Sequence, residues 1–163
     1  MIFVTVGTSL PHDELIEKID ELVRDGRLKE YVIAQIGEGR YQPKHIESFR
    51  FAPSLDEYYS KANIVISNCG AGTIMENVTK GRKLIVIQNP DITGGHEWEI
   101  VTKMERGKHL IWCKSLEELQ DSIERARDMS YEQFAPEQLR LNEVIFELLQ
   151  SKKNSSKKRK LSI

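Results

Sequence analysis

Short apolar runs alternate with amphipathic stretches along this chain, and that alternation limits the folds open to it. Residues 2–6, 31–36, 64–67 and 84–87 form nearly continuous apolar runs, a pattern typical of parallel strands that are covered on both faces. Between the first two runs, residues 13–24 place five apolar side chains on one face of a helix. We therefore predict an α/β fold with a doubly wound, Rossmann-like parallel sheet of six strands.

The other elements follow from the same periodicities, and glycines end several of them. Gly26, Gly81 and Gly107 close predicted helices, and Gly37 follows the second predicted strand. Further strands are predicted at residues 48–51 and 109–112, and further helices at residues 55–62, 73–80, 96–105, 116–129 and 136–150.

The charge of the chain is unevenly distributed, although its formal net charge is only −1. Its 163 residues carry 24 basic and 25 acidic side chains, but six of the basic ones and none of the acidic ones lie in residues 151–163. We therefore predict one acidic domain over residues 1–150, followed by a disordered basic tail over residues 151–163. Three roles are open for the tail: contact with an anionic membrane surface, a nuclear-type basic address, or a solubilising end.

Several classes of protein are disfavoured by what the sequence lacks. Cys69 and Cys113 fit neither a disulfide framework nor a metal-ligand spacing, and the sequence shows no other metal constellation. Its opening residues are typical of a strand and not of a signal peptide, and no apolar run approaches the roughly 18 residues of a membrane span. We expect a cytoplasmic protein that contacts membranes only peripherally and needs neither a metal nor another cofactor.

Ligands of open α/β sheets bind outside the carboxyl ends of the strands, so the loops that follow strands are the candidate sites. The first such loop is Gly7-Thr8-Ser9, where small residues permit close backbone approach and hydroxyls add hydrogen-bond donors. The same residues also suit a tight turn and a cap for the helix that Pro11 opens. Both interpretations stay open on the residues alone.

The second loop, residues 67–73, leads from a strand into a helix through Gly70-Ala71-Gly72. Unbonded N–H groups at a helix start, beside glycines, make an anion-binding site. Glu76, three residues after Thr73, then offers a carboxylate that can accept hydrogen bonds from vicinal sugar hydroxyls. The same spacing fits a capping box, so a ligand site and a helix cap are both open, separately or together.

The third loop, residues 89–97, is longer and more polar than a connection requires. His96 near its end either donates to a phosphate or a sugar hydroxyl, or faces solvent at a helix start. His12, His45 and His109 show no partner pattern, and we expect surface or packing positions for them. No G-x-G-x-x-G follows a predicted strand and no Walker A sequence is present, which argues against a nucleotide-cofactor oxidoreductase domain.

These motifs, in this order, resemble the C-terminal, nucleotide-sugar-binding half of family 28 glycosyltransferases. The resemblance lies in MIFVTVGTS at residues 1–9, SNCGAGTIMEN at 67–77, and LIVIQNP with GHEWE between 84 and 99, and it covers about residues 1–130. The opening is most similar to the free-standing subunits of the family, the cytosolic half of a two-part GlcNAc transferase that acts on a polyprenol-diphosphate-linked sugar. The resemblance implies one half of a GT-B glycosyltransferase that binds a UDP-sugar, UDP-GlcNAc in those subunits.

The resemblance also implies roles for particular residues. Phe51 and Ala52 match the pair that flanks the uracil ring, and Glu76 matches the carboxylate that binds the ribose hydroxyls. His96 and Glu97 match two polar residues that face the donor sugar. The residues that match the diphosphate-binding loops are Gly7, Thr8, Ser9, Gly70, Ala71, Gly72 and Thr73.

No catalytic residue is assigned by the resemblance, and His96 is the one candidate for such a role. The chain departs from the family at Glu97, where Gln is common, and at Gly94-Gly95, where an Asp-Asn pair is common. These departures lie where the sugar is expected to bind, and they leave the identity of the donor sugar open.

Members of the family place the acceptor and the catalytic base in a second domain, for which these 163 residues leave no room. We therefore predict a hetero-oligomer with a membrane-associated, acceptor-binding subunit, which docks on the apolar face of helix 136–150 unless that face packs on the chain's own sheet. The predicted function is the donor-binding subunit of a UDP-sugar glycosyltransferase acting on a lipid-linked acceptor, with no nucleic-acid partner. The alternative is a non-catalytic accessory subunit that stimulates a capsule or exopolysaccharide glycosyltransferase.

Overall fold

The computed structural model describes residues 1–7, 11–68, 70–89 and 95–135, with residues 95–97 described by their backbone alone. The chain divides into two compact units, residues 1–133 and residues 134–163, and of the second unit only residues 134 and 135 are described. The predicted helix at 136–150 and the predicted tail at 151–163 therefore lie outside the described residues, as do Thr8, Ser9 and Cys69.

Six strands and five helices alternate along the described part of the chain. The strands are β1 (Ile2–Thr5), β2 (Val32–Gln35), β3 (Glu47–Phe49), β4 (Ile64–Asn68), β5 (Leu84–Ile87) and β6 (Ile111–Cys113). The helices are α1 (Asp13–Arg24), α2 (Asp56–Lys61), α3 (Ala71–Val78), α4 (Gly95–Arg106) and α5 (Leu119–Asp128). Each element predicted within these ranges is present, so the predicted alternation is confirmed.

All six strands pair in parallel, in the order β3-β2-β1-β4-β5-β6. The chain runs outward from β1 to β3, returns to the centre at β4, and continues to β6 on the other side. This is the doubly wound order of Rossmann-type sheets, and it confirms the predicted fold class. The return to the centre places the carboxyl ends of β1 and β4 side by side, with Thr5 opposite Ser67.

The central strands are buried along their whole length, as their unbroken apolar runs predict. Every residue of β1, β4 and β5 is buried. Helix α1 covers the sheet with Leu15, Ile16 and Ile19, which are 1% exposed or less. Among the described helices, none has the length and apolarity that crossing a membrane requires.

An aromatic cluster fixes the segment between β3 and α2. The ring centroid of Phe3, in β1, lies 5.3 Å from that of Tyr58 and 5.4 Å from that of Tyr59. Phe49, at the end of β3, stacks on Tyr58 with centroids 4.6 Å apart. Both ends of the connection are therefore packed against Phe3 of β1.

Several element boundaries differ from prediction. Strand β3 covers Glu47–Phe49 and not residues 48–51, and β6 and α5 begin later than predicted because a turn precedes each. Strand β6 begins at Ile111 and not at His109, whose N–H instead donates to the carbonyl of Met104 at 2.9 Å in the turn that ends α4. Helix α5 begins at Leu119 and not at residue 116, because the N–H of Glu118 donates to the carbonyl of Ser115 at 3.2 Å in a preceding turn.

A buried carboxylate, Asp20, fastens the connection after β2 to α1. It accepts hydrogen bonds from the hydroxyl of Tyr41 at 3.0 Å and from the backbone N–H groups of Lys44 at 3.1 Å and His45 at 2.7 Å. The ring Nδ1 of His45 lies 3.2 Å from the same carboxylate. Burial alone would raise the pKa of Asp20, but the hydrogen bonds outweigh it and hold the pKa below its ordinary value.

Candidate functional site

The reversal of strand order between β1 and β4 marks the candidate site, because ligands of doubly wound sheets bind at the carboxyl ends of such strands. Gly7 follows β1 and Gly70 follows β4, so the structure brings the first two predicted loops to the same place. Strand β5 ends beside β4, and its connection leads into α4. The three loops selected from the sequence thus leave one edge of the sheet.

Gly7 turns the chain away from the end of β1. Its φ is 75°, in the left-handed region that side chains rarely adopt, and the residue is exposed. A Cβ atom at this position would meet nothing within 4 Å. Glycine is therefore required here by the backbone conformation and not by lack of space.

Alanine substitutions at Gly7 and Gly72 should change stability in opposite directions. Gly7→Ala is expected to lower the free energy of unfolding by about 1–2 kcal/mol, because alanine is strained at positive φ. Gly72 lies inside α3, where a Cβ would also meet nothing within 4 Å, so Gly72→Ala should raise it by about 0.5 kcal/mol. Urea unfolding of both variants measures the difference, and equal losses of stability would contradict it.

The start of α3 presents backbone donors at the sheet edge. Gly70 precedes the helix with an extended backbone, φ −91° and ψ 118°, and Gly70, Ala71 and Gly72 are all exposed. The N–H of Ile74 donates to the carbonyl of Gly70 at 3.0 Å, so the N–H groups just before it point out of the helix end. No acidic side chain lies in this first turn, which leaves the positive end of the helix available to an anion.

The capping-box interpretation of Thr73 and Glu76 is wrong. Helix α3 begins at Ala71, so Thr73 is its third residue and Glu76 its sixth. The residue at the cap position is Gly70, and no side chain caps the helix. The helix-cap interpretation of this loop is therefore excluded, and the anion site stays a prediction.

Glu76 lies in the second turn of α3, between two cationic side chains. Its carboxylate is 3.3 Å from Nζ of Lys80 and 4.0 Å from Nη1 of Arg82, and its side chain is 39% exposed. The Arg82 guanidinium lies 5.1 Å from the centroid of the buried Tyr59 ring. Burial raises the pKa of Tyr59, and the nearby Glu76 carboxylate raises it further. Glu76 therefore has two cationic neighbours and remains accessible to hydroxyl groups of a ligand.

Phe51 and Ala52 lie in the connection that the aromatic cluster fixes. They follow β3 after one intervening residue and precede α2, so they lie at the carboxyl edge of the sheet. Phe51 is 68% exposed, which is unusual for so large an apolar side chain. An exposed aromatic ring on a rigid segment can stack on a planar ligand.

His96 and Glu97 are the second and third residues of α4, where the structure describes the backbone alone. Their helix follows β5, so their backbone begins the helix on the side of the sheet edge where the other loops emerge. Their roles toward a donor sugar remain predictions. Among the described side chains, no three His, Cys, Asp or Glu residues are grouped as a metal site would need.

A buried polar network beneath the sheet edge was not predicted from the sequence. Nδ1 of His12 lies 3.0 Å from Oδ1 of Asn68, whose amide nitrogen donates to the carbonyl of Val6 at 3.0 Å. The amide of Asn89 donates to the carbonyl of Pro11 at 3.4 Å. The only sequence signal for this network is that an asparagine ends one apolar strand run and follows another.

A doubly wound parallel sheet with glycine turns at its reversal point is a Rossmann-like fold, a class that includes the halves of GT-B glycosyltransferases. The crystal structure of Acinetobacter baumannii MurG shares this fold with a TM-score of 0.61 at 18% identity, over 77% of this chain and 41% of that one. The solution structure of ALG13 shares it with a TM-score of 0.55 at 18% identity, over 82% and 88% of the two chains. This chain belongs to the family of glycosyltransferase family 28 C-terminal domains, whose sequence profile matches residues 1–160.

Proteins of similar sequence carry the name UDP-N-acetylglucosamine transferase subunit ALG13. The mouse protein is 33% identical over 122 residues, which are 68% of this chain and 10% of the mouse protein. The human protein is 33% identical over 123 residues, or 69% and 11% of the two chains. The Yarrowia lipolytica protein is 27% identical over 124 residues, or 68% and 63%. The chain thus spans about a tenth of its mouse and human relatives and less than two thirds of the yeast one.

Proposed function

We propose that this chain is the donor-binding subunit of a UDP-GlcNAc transferase that acts on a lipid-linked sugar together with a membrane-associated subunit. The observation that carries the proposal is its similarity to proteins named as UDP-N-acetylglucosamine transferase subunits. The family and the glycine-lined sheet edge support the same conclusion, since that edge is where a sugar nucleotide would bind.

The chemistry of the proposal centres on the diphosphate. As the bond between the sugar and UDP breaks, negative charge develops on the leaving phosphate. The N–H groups at the start of α3 and the turn at Gly7 would stabilise that charge. The family resemblance assigns Thr8 and Ser9 to the same role. In this proposal the helix end supplies the positive potential, and neither a metal nor a cofactor takes part.

The rest of the donor would lie along the same edge. The family resemblance assigns the uracil ring to Phe51 and Ala52, and the exposure of the Phe51 ring supports that assignment. It assigns the ribose hydroxyls to Glu76, whose accessible carboxylate can accept from both. It assigns the sugar to His96 and Glu97. Each of these roles is part of the proposal.

The second part of the proposal concerns the acceptor and the subunit that binds it. Relatives named as subunits support a partner, and a lipid-linked acceptor requires a site at a membrane. We therefore place the chain at the cytosolic face of a membrane, held there by a membrane-associated subunit that binds the acceptor.

Calorimetric titration with UDP tests the donor site. The chain purified with its membrane-associated partner is expected to bind UDP at millimolar nucleotide or below, and the chain alone more weakly. If the complex shows no heat of UDP binding in this range, the donor-binding function is wrong.

The variant Gly72→Ala separates binding from stability. A methyl group on the exposed start of α3 should weaken UDP binding about tenfold by blocking close approach of the diphosphate, although the fold becomes slightly more stable. The same titration measures this change. Unchanged UDP affinity in Gly72→Ala would remove the start of α3 from the site.

A further inference from the structure

We propose that His12 is a positioning residue of the donor site, which holds the start of α1 against the end of β4 through a hydrogen bond from Nδ1 to Asn68. The proposal rests on the donor-binding function above. It concerns a residue beneath the sheet edge, outside the set expected to touch the donor.

The hydrogen-bond geometry determines which ring nitrogen of His12 carries a hydrogen. The carbonyl oxygen of Val6 can only accept, so the group of Asn68 that lies 3.0 Å from it is the amide nitrogen. The side-chain oxygen of Asn68 therefore faces Nδ1 of His12 at 3.0 Å, and that oxygen needs an N–H donor. The neutral ring is then the Nδ1–H tautomer, with a lone pair on Nε2.

The second ring nitrogen shows that packing alone does not account for a histidine here. Nε2 of His12 is buried and has no hydrogen-bond partner among the described residues. A buried polar atom without a partner opposes folding, and an apolar side chain of similar size would avoid that penalty. The hydrogen bond from Nδ1 to Asn68 is the stabilising contribution that offsets this penalty.

The bond orients the Asn68 side chain, which itself joins the two glycine turns. Asn68 ends β4, two residues before Gly70, and the same side chain reaches Val6, the residue before Gly7. His12 directly precedes α1 and is 5% exposed, so its bond to Asn68 is shielded from water. This chain of bonds sets the separation of the two turns.

The separation of the turns matters for a diphosphate more than for a nucleoside. A diphosphate must reach the Gly7 turn and the start of α3 at the same time, whereas uridine carries no phosphate to place between them. Loss of the bond from His12 should therefore weaken UDP binding and leave uridine binding nearly unchanged.

Two variants of His12 test this role by calorimetry with UDP and with uridine, on the complex with the partner. His12→Leu removes the donor and is expected to weaken UDP about fivefold, the effect of one lost hydrogen bond, with less than a twofold change for uridine. His12→Asn keeps an N–H donor near the position of Nδ1, and its UDP affinity should stay within about twofold of the wild type. The proposal would be overturned if the ratio of UDP affinity to uridine affinity in His12→Leu equalled that of the wild type. It would also be overturned if His12→Asn lost as much UDP affinity as His12→Leu.

Leu28→Ala is the matched control for lost stability. Leu28 is buried in the core between α1 and the amino end of β2. It therefore lies at the edge of the sheet opposite to the glycine turns. This variant should have a lower free energy of unfolding and keep the wild-type ratio of UDP affinity to uridine affinity. A fall in that ratio like the fall in His12→Leu would show that general destabilisation explains both.

NMR gives a readout that does not depend on nucleotide binding. The ring nitrogens of His12 should show the Nδ1–H tautomer, and His12→Leu, unlike His12→Asn, should shift the amide signals of Gly7 and Gly70. An Nε2–H tautomer would overturn the proposal. If these signals behave as expected and the wild-type complex still fails to bind UDP, the donor-binding function is wrong and the bond from His12 stands as a property of the fold.

Discussion

Replacing Glu76 with alanine is expected to reduce sugar transfer by the complete complex about a hundredfold or more. In the proposed site its carboxylate accepts hydrogen bonds from two ribose hydroxyls, and each hydrogen bond to a charged group contributes about 1.5–3 kcal/mol. Lys80 and Arg82 lie 3.3 Å and 4.0 Å from the carboxylate, which is exposed enough to reach a ligand. Initial rates of transfer from UDP-GlcNAc to a lipid-linked acceptor measure the effect.

A matched control is available on α5. Glu124 is also an exposed helical glutamate and contacts the residue four positions away, since the amide of Gln120 donates to it at 3.2 Å. Glu124→Ala should leave the rate of transfer within about twofold of the wild type, as expected of a surface substitution. If Glu76→Ala transfers as fast as Glu124→Ala, the chain does not bind the donor for catalysis, and the accessory role becomes the better explanation.

Replacing Asp20 with alanine is expected to lower the free energy of unfolding by about 2–3 kcal/mol. The change removes the acceptor for the hydroxyl of Tyr41 and for the backbone N–H groups of Lys44 and His45. Because Lys44 and His45 are exposed, their N–H groups can turn to water, and each lost hydrogen bond costs only about 0.5–1.5 kcal/mol. Denaturant unfolding measures the loss. The control is Asp25→Ala, because Asp25 is exposed and pairs only with the adjacent Arg24 among the ion pairs of the described residues, so its removal should cost about 0.5 kcal/mol or less.

The contribution of Asp20 should also depend on pH. Its pKa is lower in the folded state than in the unfolded chain, so the carboxylate stabilises the fold fully above the unfolded-state value, near pH 4. That contribution is lost as the pH falls through the lower folded-state pKa. The stability difference between wild type and Asp20→Ala should therefore shrink below about pH 4, and a difference that stays constant down to pH 2 would contradict the assignment.

The regular elements were predictable because their signals are local. Strand β5 has the predicted bounds, Leu84–Ile87, and helix α1 has the predicted bounds, Asp13–Arg24. Both are predicted from unbroken or periodic runs of apolar residues. Burial of those residues in the core favours the same elements, so the prediction and the structure agree. The start of α3 was placed too late because glycine is a poor helix former, and Gly72 nevertheless lies within the first turn, where its low propensity matters least.

The site was predictable only as far as it depends on position along the chain. The Gly7 and Gly70 turns follow strands, and in a parallel sheet every turn that follows a strand lies at the carboxyl edge. The pairing of His12 with Asn68 could not be predicted in this way, since the two residues are 56 positions apart and no periodicity connects them. Such contacts are defined by how the segment before α1 meets the end of β4, which one sequence does not reveal.

The reversal of strand order also governs when the sheet edge can form. Val6 and Asn68, which the polar network joins, are 62 residues apart. Strand β1 pairs with β2 on one edge and with β4 on the other, so the second edge stays uncovered until β4 is present. Pairing over such distances is slow, because the entropy of closing the loop is lost before the contacts form. During synthesis the apolar edge of β1 stays open to other chains until Asn68 has emerged, so the strand order that creates the crevice also delays its formation until the fourth strand is present.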